Sequence, residues 1–250
     1  IANGTLSTVS SSDGGVTWTA TFTPSASISD TTNIITLDNT GVQTVTGSVA
    51  GVGTTDSNNY AIDTLRPTAT IAVTDTALKA GETSLVTIAF SEAVTGFTNA
   101  DLTIANGTLS NVASSNGGIT WTATFTPTAS ITDTSNLITL DNTGVSDAAG
   151  NAGSGTTDSN NFAIDTLRPT ATIVVADTAL SVGETSLVTI TFNEAVPAFT
   201  TADLTVANGT VTGLSSGDGG ITWTATFTPT ASITDTTNVI TLDNTGVADL

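Results

Sequence analysis

The chain has no cysteine, no histidine and no methionine, and only three basic residues stand against 22 acidic ones in 250. Without cysteine there are no disulfides, no thiolate chemistry and no cysteine-bearing metal sites. Without histidine there is no Ser-His-Asp triad, no imidazole acid–base catalysis and no histidine-ligated zinc. Without methionine, the sequence is expected to be a processed chain or a window on a longer one. Three cations cannot neutralise a phosphate backbone, and a net charge of −19 disfavours nucleic acid and anionic membrane alike. No apolar run approaches the ~18 residues of a membrane span, so no membrane insertion is expected. No signal peptide is visible.

Threonine fills the gap, at 58 residues, with 23 glycines, 38% hydrophobic residues and 10% charged ones. Such low charge with that much hydrophobicity does not describe a charge-rich disordered chain. Threonine is β-branched and favours strands, which points to an all-β, acidic protein.

The chain repeats itself. Ile1-Ala-Asn-Gly-Thr-Leu6 recurs at Ile104–Leu109 and, as Val-Ala-Asn-Gly-Thr-Val, at Val206–Val211. Val16–Pro24 recurs at Ile119–Pro127 and Ile221–Pro229, and Asp63-Thr-Leu-Arg-Pro-Thr68 at Asp165–Thr170. The offset from Ile1 to Ile104 is 103 and that from Asp63 to Asp165 is 102, so the loop Val42–Gly53 holds one inserted residue. A period of 102 is a whole domain of immunoglobulin-like size rather than a solenoid unit. The boundaries give residues 1–62 as the C-terminal half of a module, 63–164 as a complete module and 165–250 as a module lacking its last strand. Leu-Arg-Pro follows each boundary, and proline there suits a short stiff joint. Arg66 and Arg168 are each expected to pair with a carboxylate nearby.

In the complete module, alternation assigns strands over Thr68–Thr74, Thr83–Phe90, Asp101–Ala105, Leu109–Ser114, Ile119–Thr126, Asn136–Asp141 and Asn161–Ile164. Asn106-Gly107 reads as a hairpin turn between the third and fourth, and Asn116-Gly-Gly118 as the next turn. Ile119, Trp121, Ala123 and Phe125 point one way and Thr120, Thr122, Thr124 and Thr126 the other. Trp121 is expected in the core. Helical periodicity is absent, and seven short strands describe a β-sandwich.

Asp-Thr-Leu-Arg-Pro-Thr, Phe-Ser-Glu-Ala-Val-Thr-Gly-Phe, Asp-Leu-Thr-Ile-Ala-Asn-Gly-Thr-Leu, Trp-Thr-Ala-Thr-Phe-Thr-Pro and Asp-Ala-Ala-Gly-Asn, in that order, resemble tandem bacterial Ig-like repeats of giant secreted adhesin and biofilm proteins. The resemblance covers the whole chain. It implies a rod of immunoglobulin-like β-sandwich modules outside the cell or at its surface, often stiffened by calcium at the joints.

The strand directions carry the loops Ser91–Ala100 and Ser146–Ser159 to the pole that also holds Asp63. That pole gathers Asp63, Glu92, Asp101, Asp147 and Asn151, with Asp158 a further candidate; the third module offers Asp165, Glu194, Asp203 and Asp249. Calcium takes six to eight oxygens from carboxylates, amides and carbonyls, and this set suits it. Taken singly, each aspartate also reads as a turn residue. In the first half-module Val42–Val49 replaces Val145–Asn151 and loses the aspartate, which puts a site there in doubt. Asp75, Glu82 and Asp133 form a second acidic set at the opposite pole. Asp38, Asp141 and Asp243 read as turn or strand-end residues.

Glu92 with Asp101 is a formal glycosidase-like pair, but it recurs in each module at a pole covered by its neighbour, and no enzyme is expected. Lys79 is the only lysine and Ser181 replaces it one repeat later, which excludes a repeated Lys–Asn isopeptide crosslink. The threonine ladders suit a solvated face, lateral packing or a glycan acceptor. The expected function is mechanical: a stalk or fibre segment of a surface adhesin or biofilm protein. Its partners are neighbouring modules and, in a fibre, other copies. A self-assembling filament subunit and a glycan- or surface-binding module are the alternatives.

Overall fold

The alternation that marks the strands also decides which residues leave water. In the computed structural model, which describes residues 1–46 and 49–249, the chain divides into two units. Gly47 and Ser48, within the loop expected to be lengthened, lie outside the described residues, as does Leu250, the expected end of the third module. The first unit holds residues 1–128 and 132–165, and the second holds 129–131 and 166–250.

In the complete repeat eleven short strands form two facing layers: β1 (Ala69–Val73), β2 (Ala77–Lys79), β3 (Ser84–Phe90), β4 (Leu102–Ile104), β5 (Gly107–Leu109), β6 (Ala113–Ser114), β7 (Thr120–Pro127), β8 (Thr132–Asn136), β9 (Ile138–Asp141), β10 (Thr156–Asp158) and β11 (Phe162–Asp165). One layer runs β5–β7–β3–β1, with β6 also on β7. The other comprises β4–β9–β10 and β8–β11–β2. All pairs are antiparallel except β2 with β11. The only helical pieces among the described residues are three-residue 3₁₀ turns such as Asn99–Asp101 and Asn142–Gly144.

The core lies between the layers. Val86, Ile88 and Phe125 from one face Ile138, Leu140 and Phe162 from the other, and all six are 0% exposed. The Phe125 and Phe162 rings meet edge to face at 5.1 Å. Trp121, expected in the core, is half-buried. It pairs with Ser114 near the sheet margin, its indole N–H donates to the Gly118 carbonyl at 3.0 Å, and its ring stands against Phe97 at 5.2 Å. An indole N–H needs a polar partner, and the rim supplies one.

Asn106-Gly107 is not a hairpin turn. β4 pairs with β9 and β5 with β7, so the chain changes layers at this corner. Asn106 takes a left-handed φ of 55°, which asparagine tolerates. Its amide donates to Asp133 Oδ2 at 2.8 Å and to Asn136 Oδ1 at 2.9 Å. Asn136, 1% exposed, donates in turn to the carbonyls of Asp133 and Phe162. A Cβ on Gly107 would run into the Phe125 ring and the Thr126 carbonyl. The latch recurs as Asn3–Asp30–Asn33 and Asn208–Asp235–Asn238.

In residues 1–62, Leu37 and Trp18, equivalent to Leu140 and Trp121, are 51% and 60% exposed. In the second unit, Ala171–Val175, Ser186–Phe192, Thr222–Pro229 and Gly209–Ser216 form one sheet in that order. Leu204–Val206 pairs with Ile240–Leu242, and Val188, Ile190, Phe192, Val196 and Phe227 form the core.

Asn136→Ala strips the latch of its centre and leaves the Phe162 carbonyl and the Asn106 amide short of partners. A buried unsatisfied group costs about 1–3 kcal/mol, so a loss of about 2–4 kcal/mol is expected from the shift in the urea midpoint. A shift under about 0.5 kcal/mol, the usual range for surface changes, would show that the latch does not hold the layers.

Candidate metal centre

Three segments converge at one pole of the complete repeat. Asp63 closes the strand Tyr60–Asp63. Glu92 follows β3, where the Ser91 N–H donates to the Thr68 carbonyl at 2.9 Å. Asp147 lies in the loop after Asn142–Gly144. Thr95 and Ser146 exchange backbone hydrogen bonds of 2.8 and 3.1 Å, which fasten the Glu92 loop to the Asp147 loop. The Asp147 loop reverses at Gly150, whose φ of 91° suits glycine.

Asn151 clasps the pole together. Its side-chain amide donates to Asp147 Oδ2 at 2.8 Å and to the Asp63 carbonyl at 3.1 Å. Arg66 donates to the Ala152 carbonyl at 2.6 Å, where a carboxylate partner was expected. The short Arg-Pro joint is thus tied to the same loop by a carbonyl.

Asp63, Glu92 and Asp147 each present a carboxylate oxygen, and all three lie within 4.8 Å of one another. Asp147 is buried, yet the Asn151 side-chain amide, aided by the N–H groups of Asn151, Ala149 and Gly150, holds its carboxyl below the usual range despite burial. Glu92 has no such help. Burial first, then the charges of Asp147 and Asp63, push its carboxyl up, and its Oε1 is closed to solvent with no hydrogen-bond partner. An orphaned acceptor beside two like charges is costly. The donors are all hard oxygens, so the set fits a hard cation.

The other candidates are placed differently. Asp101 is engaged in its own turn: Oδ2 accepts from the Thr98 N–H and hydroxyl, capping Asn99–Asp101, and it packs against Gly144. Asp203 caps Thr201–Asp203 in the same way. Asn151 orients Asp147 rather than joining the carboxylate trio. Asp165 ends β11 in the first unit and accepts from the Thr132 hydroxyl at 2.9 Å. In the second unit, Glu194 accepts from the Asn193 amide at 3.2 Å and Asp249 is half-buried. Asp158 accepts from the Thr139 hydroxyl at 2.6 Å. At the opposite pole Asp75 and Glu82 accept from the Ala77 and Lys79 N–H groups, while Asp133 belongs to the latch.

Sequence reasoning missed the structural asparagines. Besides Asn106 and Asn136, Asn160 exchanges hydrogen bonds of 2.8 and 3.1 Å with the Val73 backbone, joining β1 to the opposite layer. The signal was the return of asparagine at equivalent places: Asn106 and Asn136 at Asn3 and Asn33 and again at Asn208 and Asn238, and Asn160 at Asn58.

Without a cation the two perturbed carboxyls give opposite pH slopes. Glu92, raised when folded, carries more proton in the folded state, so its contribution falls as pH rises from the usual 4.5 through its folded value. Asp147, lowered when folded, contributes above its usual 3.8 and loses that contribution as pH falls through its folded value. Glu92→Gln is expected to raise the melting temperature in chelator at pH 7 and to remove the decline that begins near pH 4.5. A lower or unchanged melting temperature would contradict the repulsion described.

No curated protein sequence matches the chain. Among solved structures it is similar to the Escherichia coli adhesin FdeC, at 14% identity over 92% of this chain and 74% of that one, with a TM-score of 0.36. It is also similar to the Yersinia pseudotuberculosis adhesin InvE, at 20% identity over 64% of this chain and 51% of that one, with a TM-score of 0.29. The family model described as the bacterial Ig-like domain matches residues 1–62, 63–164 and 165–250. With all three segments matched and the complete repeat folded as a two-layer sandwich, the chain belongs to the bacterial Ig-like domain family.

Proposed function

We propose that the chain is a stalk segment of a bacterial surface adhesin, displayed outside the cell, in which calcium stiffens the joints between repeats. The observation that carries the joint is the trio Asp63, Glu92 and Asp147, with Glu92 Oε1 buried and unpartnered. Asp63 is the boundary residue, at the end of a strand whose other residues, Tyr60 to Ile62, belong to the preceding repeat, whereas Glu92 and Asp147 lie within the repeat that follows. A cation shared by the three would relieve their repulsion and tie the repeats at that point. The three carboxylates would supply part of calcium's six to eight oxygens, with carbonyls and water completing the shell. By the repeat offset, Asp165, Glu194 and Asp249 are their sequence equivalents.

The role is mechanical and not catalytic. The glycosidase-like pair Glu92–Asp101 is divided between two tasks, since Asp101 caps its own turn. Near-identical repeats suit spacing better than unique recognition. An extended adhesin or a biofilm matrix would use them in the same way.

Extracellular calcium sites bind at roughly 10⁻⁴ to 10⁻³ M. At ten times the dissociation constant, a site stabilises by ~1.4 kcal/mol. Calcium is expected to raise the melting temperature and to narrow the spread of dimensions seen in small-angle scattering. Glu92→Gln with Asp147→Asn should lose the response contributed by this joint. Asp101→Asn should keep it while lowering stability through its weakened cap. Identical curves in calcium and chelator would overturn the calcium-stiffened joint.

A further inference from the structure

The carboxylates are distributed unevenly over the sandwich. In the first unit, the outer face of the layer β5–β7–β3–β1 carries no ionisable side chain. One row across it reads Ala113, Thr122, Thr87, Ala72, and the next reads Thr120, Ala89, Thr70. A third pairs Thr124 with Leu85, which is 51% exposed. The opposite layer presents Asp158, Asp165 and Lys79. The second unit repeats the pattern by itself: Ser215, Thr224, Thr189 and Val174 make one row, and Thr212, Thr226 and Leu187 another. There Val174 and Leu187 are 58% and 54% exposed.

We propose that this threonine face is a lateral docking surface for the same face of a second copy. Charge selects the occupant. At a net charge of −19, two copies repel through any surface that carries carboxylates. This face brings methyl groups, hydroxyls and a leucine together without opposing like charges, and an uncharged patch can meet its own twofold image. A charged partner would find nothing here to pair with.

Size sets the strength. β7 has eight residues, β3 seven, β1 five, and β5 with β6 five between them; with strands about 4.8 Å apart and a rise of about 3.3 Å per residue, they present on the order of 400 Å². A stable interface needs about 800 Å² from each partner. One face is therefore a weak contact, of the kind that a concentration series resolves. The contact does not involve the joint carboxylates, so it does not require calcium.

The test is sedimentation equilibrium of the whole chain at rising salt, in chelator and in calcium. Salt screens the repulsion, so the average mass is expected to climb from 24.8 kDa toward twice that value as salt and concentration rise, and at high salt to reach the same value with and without calcium. Thr124→Glu with Thr226→Glu places like charges on both faces and should weaken association at least tenfold. Thr103→Glu with Thr205→Glu adds the same charge at exposed positions of the opposite layer and should leave association at high salt unchanged. Circular dichroism melts establish that both variants are folded. A monomer throughout the series would overturn the proposal. So would equal association of both double variants, which would assign the contact to the exposed apolar side of the first repeat, around Trp18 and Leu37. Association that appears only with calcium would overturn it as well, without touching the calcium joint.

Discussion

Negative charge without counter-charge is the constraint on which this structure rests. With three cations for 22 acids, the chain cannot neutralise its carboxylates by ion pairing. It holds them instead with N–H and O–H donors close by in sequence. Asp38, Asp141 and Asp243 each accept from the backbone N–H and hydroxyl of the threonine two residues on. Asp13, held by Thr17 and Ser11, has its carboxyl lowered to about 2. Threonine supplies both the β-branched strand former and the hydroxyl that these turns use, which accounts for its abundance in physical terms.

The same constraint makes the exceptions informative. Glu92 is a carboxylate that burial pushes up, and its two neighbours in space are also carboxylates. A fold that satisfies its acids locally at turn after turn, yet leaves one oxygen of Glu92 closed off and unpartnered, has put a cost in one place. A cation removes that cost. The threonine face is the complementary exception, a broad surface from which charge is missing altogether.

Much of the fold could be read from the repeats and the alternation. The strand β7 shows its two faces plainly, and Asn116-Gly-Gly118 does turn the chain between β6 and β7. Strands β2, β8 and β10 escaped because each is only three to five residues long, and β8 and β10 are made of threonine, aspartate, serine and asparagine, with no apolar alternation to follow. Asn106-Gly107 misled because a left-handed asparagine serves a hairpin and a layer change equally well. What decides is the partner of its side chain, Asn136, thirty residues away.

The pole that gathers Asp63, Glu92 and Asp147 follows from strand direction, which is why sequence could point to it. Whether an aspartate there faces its neighbours or caps its own turn depends on a few ångströms of local geometry, and that separates Asp147 from Asp101. The most direct test of the central claim is carboxyl ¹³C NMR titration of the metal-free chain, followed by addition of calcium. Turn aspartates such as Asp38, Asp141 and Asp243 should titrate below 3.8 and Glu92 above 4.5. Calcium should then move the carboxyl signals of Asp63, Glu92 and Asp147 while leaving the turn aspartates in place. A Glu92 that titrates at its ordinary value, or calcium shifts spread evenly over all the carboxyls, would contradict the account.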